Sequence, residues 1–143
     1  MLYSSVINNP EASIQFINFL VKESHLSFKE PGKQKIAVTF SAKGYIFKEI
    51  SQFHLQLEVT INEEEGKFEI HLETESIFEY PKNANLEFYK NSLFIVNAPA
   101  IVFPYLRAYI TNLTALSGIP VLTIPTFNLS NLGESLKNNI VEA

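Results

Sequence analysis

The sequence predicts an α+β fold in a single domain spanning 1–143. Two observations carry this. Apolar and polar residues alternate as far as Leu72, the period of half-buried strands, and from Ala84 onward apolar residues recur at the three- and four-residue spacing of helices. No repeat, linker or low-complexity tract interrupts the chain, so strands and then helices share one domain. Composition adds a third constraint: 46% of the 143 residues are hydrophobic and 18% charged, including twelve Phe and six Tyr. The usual charged share is about 25%, so apolar material exceeds what a core of this size hides, and part of it is expected to meet a partner or a second subunit.

The N-terminal element has two readings. Asn9-Pro10-Glu11 supplies a helix cap, a proline at the first helical position and an acid in the first turn, with Ile14, Ile17 and Val21 continuing one face. Against this, Phe16, Ile17, Phe19, Leu20 and Val21 are apolar nearly all round, and β-branched and aromatic types suit a strand covered on both sides. Leu26 to Phe28 reads as the end of a longer strand. Ile36, Val38 and Phe40 alternate with Ala37, Thr39 and Ser41, giving a strand that can continue past Gly44 to Phe47.

Phe53 to Asn62 and Phe68 to Glu73 alternate strictly about the turn Glu63-Glu64-Glu65-Gly66 and predict a hairpin. With that turn, Asn62 opposes Lys67, so His71 faces Glu58 and His54 faces Glu75 on the polar side. Leu86, Tyr89, Leu93 and Val96 then predict one helix, and a second follows Asn97-Ala98-Pro99. Pro104 lacks an N–H, which favours a start near Ile101 over a kink within the helix. The face Leu106, Tyr109, Ile110, Leu113 and Leu116 runs to Gly118, placed as a C-terminal cap. Ile119 to Pro125 is apolar but extended, since its prolines forbid a central strand. A last helix from Asn128 or Ser130 carries Leu129, Leu132, Leu136 and Ile140 on one side. Gly133 within it costs about 1 kcal/mol relative to Ala, so this helix depends on docking.

Much chemistry is excluded. There is no Cys or Asp, all 15 acidic residues are Glu, and Arg107 is the one arginine. Thiol nucleophiles and Ser-His-Asp triads are therefore absent, and the molecule is expected not to be an enzyme. His25, His54 and His71 form no His-x-x-x-His or Glu-x-x-His pair, so neither a metal nor another cofactor is expected. Phosphate-cradling glycine motifs are missing. A net charge of −4 with scattered lysines argues against nucleic acid. Asn97, Pro99, Pro104 and Arg107 break the best apolar run short of a membrane span, and without a basic and apolar leader or Cys the expected location is cytoplasmic. Arg107 is read as the partner of a Glu across a subunit or sheet contact, in preference to a ligand contact.

Phe103-Pro104-Tyr105-Leu106-Arg107-Ala108-Tyr109-Ile110 resembles the F-P-Y-x-R-x-x-I helix of the SecB export chaperone family. There the helix is followed by a glycine, a P-x-L-x-[LI] loop and an Asn; here Gly118, Pro120-Val121-Leu122-Thr123-Ile124 and Asn128 take those places. Leu26-Ser27-Phe28-Lys29-Glu30-Pro31 is similar to the family's I-S-F-E-x-P.

The resemblance implies a four-stranded antiparallel sheet with C-terminal helices packed on one side, a first strand over about Ile14 to Phe28, and a homotetramer built as a dimer of dimers. It also implies an ATP-independent holdase for unfolded polypeptide, with no cofactor. The family's client groove carries over to Ile36, Val38 and Phe40 on the sheet and to Leu122, Ile124 and Leu129 opposite. Leu129 stands where the family has a groove Phe, and Phe127 is a possible substitute. Tyr105, Arg107, Tyr109 and Leu113 belong to the helix that packs on the sheet or a subunit.

Two departures narrow this picture. The connection Pro31 to Lys35 is shorter than the family's and lacks its aromatic. Positions matching the surface that docks the SecA motor read His25, Lys29, Glu69 and His71, so SecA is a partner the family allows and these residues speak against. A chaperone dedicated to one partner, as in toxin–antitoxin systems, and a non-chaperone oligomeric adaptor are the alternatives.

Overall fold

The computed structural model describes residues 13–32, 35–125 and 129–143. Strands β1 (Gln15–Phe28), β2 (Ile36–Phe47), β3 (Gln52–Glu63) and β4 (Phe68–Glu79) precede helices α1 (Leu86–Lys90), α2 (Ala98–Leu116) and α3 (Leu129–Lys137), with a short β5 (Ile140–Glu142) last. The sheet order is β1-β4-β3-β2-β5. The four long strands are antiparallel, as expected. The fifth is an addition: β5 runs parallel to β2, pairing Ile140 with Gly44, so Ile140 leaves the helical face assigned to it. Glu142 fixes this strand by accepting from Lys48 Nζ at 2.7 Å and Lys90 Nζ at 2.6 Å, and these bonds pull its carboxyl down to about 2.

The N-terminal element is a strand. Its helix-start reading at Asn9-Pro10-Glu11 lies outside the described residues. The pairing of β1 with β4 is irregular between Phe16 and Asn18 and between Val21 and Glu23, so the side chains facing the helices are Phe16, Phe19, Val21, Ser24, Leu26 and Phe28.

The β3–β4 hairpin forms with its register moved by two: Asn62 opposes Glu69, and Thr60 opposes His71. The cause is Glu63, a buried carboxylate that accepts from the Glu65 and Lys67 amides at 3.0 and 2.9 Å and so takes Lys67 out of the ladder. The expected polar pairs survive as diagonal contacts, His54 Nδ1 to Glu75 at 2.6 Å and His71 Nε2 to Glu58 at 3.5 Å.

The helical half is broken where one helix was expected. α1 ends at Asn91-Ser92, a π-helical turn occupies Leu93–Asn97, and α2 continues directly from it. That entry places Ala98 and Pro99 in the first turn and Pro104 inside the helix, which corrects the start near Ile101. Pro104 and Ala100, whose carbonyl loses a donor to it, both lie on the exposed side, where water can replace the missing bond. At the other end Gly118 has φ +78, Gly118 N bonds Ala115 O, and Ile119 N bonds Thr114 O, completing a Schellman cap. By length and composition Leu86–Leu116 could cross a membrane. Here it is interrupted at Asn91, and Val102, Leu106 and Ile110 are buried in the core.

The core has two centres on the helical side of the sheet. One gathers Phe53, Phe78, Tyr80, Tyr89, Phe94, Val102 and Leu136. The other gathers Val59, Ile61, Ile70, Leu72, Leu106, Ile110 and Ile124. Gly133 docks α3 against the π-helical turn: a Cβ there would stand 2.7 Å from Ile95 O, an approach open to glycine alone.

Candidate functional site

An extended segment with prolines has few ladder bonds to offer, so something else must hold Ile119 to Pro125 in place. In this protein α2 does so, through residues one helical turn apart. Arg107 Nε donates to Ile124 O at 2.8 Å, Thr111 Oγ1 donates to Leu122 O at 3.2 Å, and Leu122 N donates to Thr114 Oγ1 at 3.0 Å. Arg107 thus spends its Nε on a backbone carbonyl, and among the described residues of the chain no Glu pairs with it. Thr111 and Thr114 were missed. Their signal was present, because 107, 111 and 114 follow i, i+4, i+7 spacing in an otherwise apolar helix.

Replacing Arg107 by Ala is expected to destabilise the fold by about 1 kcal/mol and to speed exchange of the Leu122 amide. Lys at this position should not rescue it, since a lysine has no Nε–H. Hydrogen exchange of that amide is the measurement.

So held, the segment lies along the second core centre. Ile36, Val38, Phe40, Leu122 and Leu129 all pack against that centre, to which Ile124 belongs, and the Phe40 and Phe103 rings lie 6.1 Å apart. The six residues assigned to a groove therefore share one core centre. They are not equal: Ile124 is fully buried and acts as a plug, while the others are partly open. Phe127 lies outside the described residues.

Accessible space includes a depression of about 390 Å³ that Leu129 borders with Ile95, Val96 and Gly133, and one at the end of the sheet. The latter, a cavity of about 360 Å³, is lined by Phe28, Pro31, Ile36, Phe68, Ile119 and Leu122, among others. The short Pro31 connection is part of its wall, and Phe28 and Phe68 oppose each other in register with ring centroids 6.3 Å apart. Val121, 59% exposed, also lines it. A Cβ on Gly32 would run into the Glu63 carboxylate, so Gly32 sits tightly on the hairpin end. Such a lining, apolar apart from the Thr123 hydroxyl, can bind apolar side chains.

Of the packing residues, Tyr105 meets Phe16 and Phe19 with centroids 5.0 and 5.8 Å apart, and Tyr109 OH donates to Ser24 Oγ at 2.7 Å. Leu113 joins the second core centre. Within the chain these side chains dock α2 on the sheet, chiefly on β1. The other face of the sheet is polar. Linear spacing gave no metal set there, yet folding brings Glu58, His71 and Glu73 together.

The sequence model of the family described as preprotein translocase subunit SecB matches residues 10–138. No curated protein matches the chain. Among solved structures, the Rv1957 SecB-like chaperone of Mycobacterium tuberculosis, in complex with a ChAD peptide from the Rv1956 HigA1 antitoxin, is similar in fold. Its TM-score is 0.66 at 16% identity, covering 82% of this chain and 89% of that one. A Streptococcus agalactiae protein of unknown function has a TM-score of 0.45 at 13% identity, with coverages of 80% and 98%.

Proposed function

The chain belongs to the SecB family, and from that premise we propose that it is a cytoplasmic, ATP-independent holdase that keeps unfolded polypeptide soluble by burying its apolar side chains beside the Ile119 to Pro125 segment. The observation that carries this reading is the cavity of about 360 Å³ between the sheet end and that segment. Each anchor buried there contributes about 1.5–3 kcal/mol, so a few of them suffice for reversible capture once the cost of ordering the client is met. Loop backbone held from behind by α2 keeps the wall in position without covering the cavity.

Assembly as a tetramer, a dimer of dimers, fits the surface of β1. This strand is a sheet edge with Ile17 and Leu20 more than two-fifths exposed and Tyr105 beside Phe16 and Phe19. A role in export through SecA is disfavoured by His25, Lys29 and His71 at the positions that dock it. A dedicated partner is the second reading, supported by the antitoxin peptide carried by the M. tuberculosis chaperone.

The test is dilution of a denatured client into buffer with several-fold excess of the protein. Wild type is expected to delay light scattering, and Val121→Glu, a change at an exposed position, should weaken client affinity by about tenfold or more. Neither delay nor complex with any client, the antitoxin type included, would sink both readings in favour of an adaptor subunit.

A further inference from the structure

The polar face of the sheet carries an arrangement that client binding does not use. Register sets Glu23, Glu73 and Glu58 side by side across β1, β4 and β3, and His25, His71 and Thr60 in the adjoining row. Like charges directly opposed are unfavourable. Glu75, one step along β4, is relieved by His54 and by Lys22 at 3.3 Å. Among the described residues, no hydrogen bond or ion pair reaches the Glu73 carboxylate.

The side chains then fix the geometry. Glu58, His71 and Glu73 each offer one ligand atom, all within 4.8 Å of one another. His71 Nδ1 lies 3.1 Å from Thr60 Oγ1, so with the proton on Nδ1 the ring donates to Thr60 and turns the Nε2 lone pair toward the carboxylates. The Nε2 to Glu58 Oε2 separation of 3.5 Å is long for a charge-assisted hydrogen bond. It is close to the edge of about 3.3–3.4 Å between two ligands of one tetrahedral ion with bonds of about 2.0–2.1 Å, and the third ligand atom, within 4.8 Å of both, needs only a side-chain rotation to join them. Glu58 and Glu73 border a surface depression of about 240 Å³ whose lining also includes Lys22 and Lys43, and which leaves room for a water or a further ligand.

We propose that Glu58, His71 and Glu73 form a divalent metal site of the zinc class on the open face of the sheet, with water completing the coordination. One imidazole among carboxylates selects Zn²⁺ over Mg²⁺ and Ca²⁺, which prefer all-oxygen sets. The neutral imidazole and two carboxylates would hold the ion across β3 and β4 and remove the repulsion between the opposed acids.

The experiment is titration of tag-free, chelator-treated protein with Zn²⁺ against a chromophoric chelator. One ion per protomer with micromolar affinity is expected, and Co²⁺ in its place should give the visible absorption of a tetrahedral site. His71→Asn and Glu73→Gln should each weaken binding by at least about tenfold, whereas His54→Gln, on the same face but bound to Glu75, should not. Because a variant can fail for other reasons, the unmodified protein is also followed by NMR, where the His71 imidazole resonances should shift on adding Zn²⁺. Unsaturable binding, equal affinity for Mg²⁺, insensitivity to both ligand variants or an unmoved His71 spectrum would each overturn the site.

Discussion

Phe94→Ala is expected to lower the free energy of unfolding by about 3–5 kcal/mol, read as a fall in the urea midpoint at fixed protein concentration. Phe94 is fully buried and stacks on Phe53 with centroids 4.0 Å apart and planes within 5°. Tyr89 and Tyr80 close round it at 5.4 and 5.8 Å. Removing the ring leaves a void among side chains drawn from the sheet, α1 and the π-helical turn. The π-helical turn cannot collapse inward to fill it, because Ile95 O already rests against Gly133. A loss well under 2 kcal/mol would mean that this turn is not the rigid anchor described.

Gly44→Val is expected to destabilise by about 2 kcal/mol, although valine is the better strand former. Leaving glycine contributes up to about 1 kcal/mol in favour of the variant. Opposing this, a Cβ at Gly44 would lie 2.7 Å from Phe53 Cε1 and 2.9 Å from Cζ, and that ring is clamped by Phe94. Overpacking of this kind costs about 1–3 kcal/mol before the two further methyls are counted. Ile140 Cγ1 stands at 3.2 Å on the other side, so β5 should loosen as well, seen as faster exchange of the Ala143 amide that now bonds Ile46 O. An unchanged or raised midpoint would refute the close packing.

These residues also show where sequence was readable. Strict alternation in β3 and β4 reports one buried face, and the pattern needed nothing else. β1 resisted because its two irregularities insert three-residue steps between helix-facing positions, Phe16 to Phe19 and Val21 to Ser24, which imitate a helical period within a strand. The hairpin register moved because a side chain, Glu63, captured backbone donors, an event that alternation cannot encode. The start of α2 was displaced because the π-helical turn feeds it already wound, and π turns carry no sequence signature.

The site divides in the same way. Residues flanking the extended segment came from family resemblance, and in the fold Ile36, Val38, Phe40, Leu122 and Leu129 pack around the core centre that holds Ile124. Physics then ranks them: Ile124 is spent on the core, while open space lies toward Phe28 and Phe68 and beside Leu129. For Arg107, a lone arginine in an apolar helix suggested a carboxylate partner, and within the chain its Nε meets a backbone carbonyl. The extended segment supplies that carbonyl.

The three-residue β5 sets an order of events. Nearly all of the helical half lies between Gly44 and Ile140 in the chain, and closing so long a loop for so few ladder bonds becomes favourable only after α2 and α3 have docked. The Gly44–Ile46 stretch of the outer edge of β2 is therefore covered late as the molecule folds. Until then it is an unprotected strand edge, open to neighbouring chains. Seating of Gly133 against Ile95, which brings Ile140 toward Gly44, is thus tied to the closing of that stretch of edge.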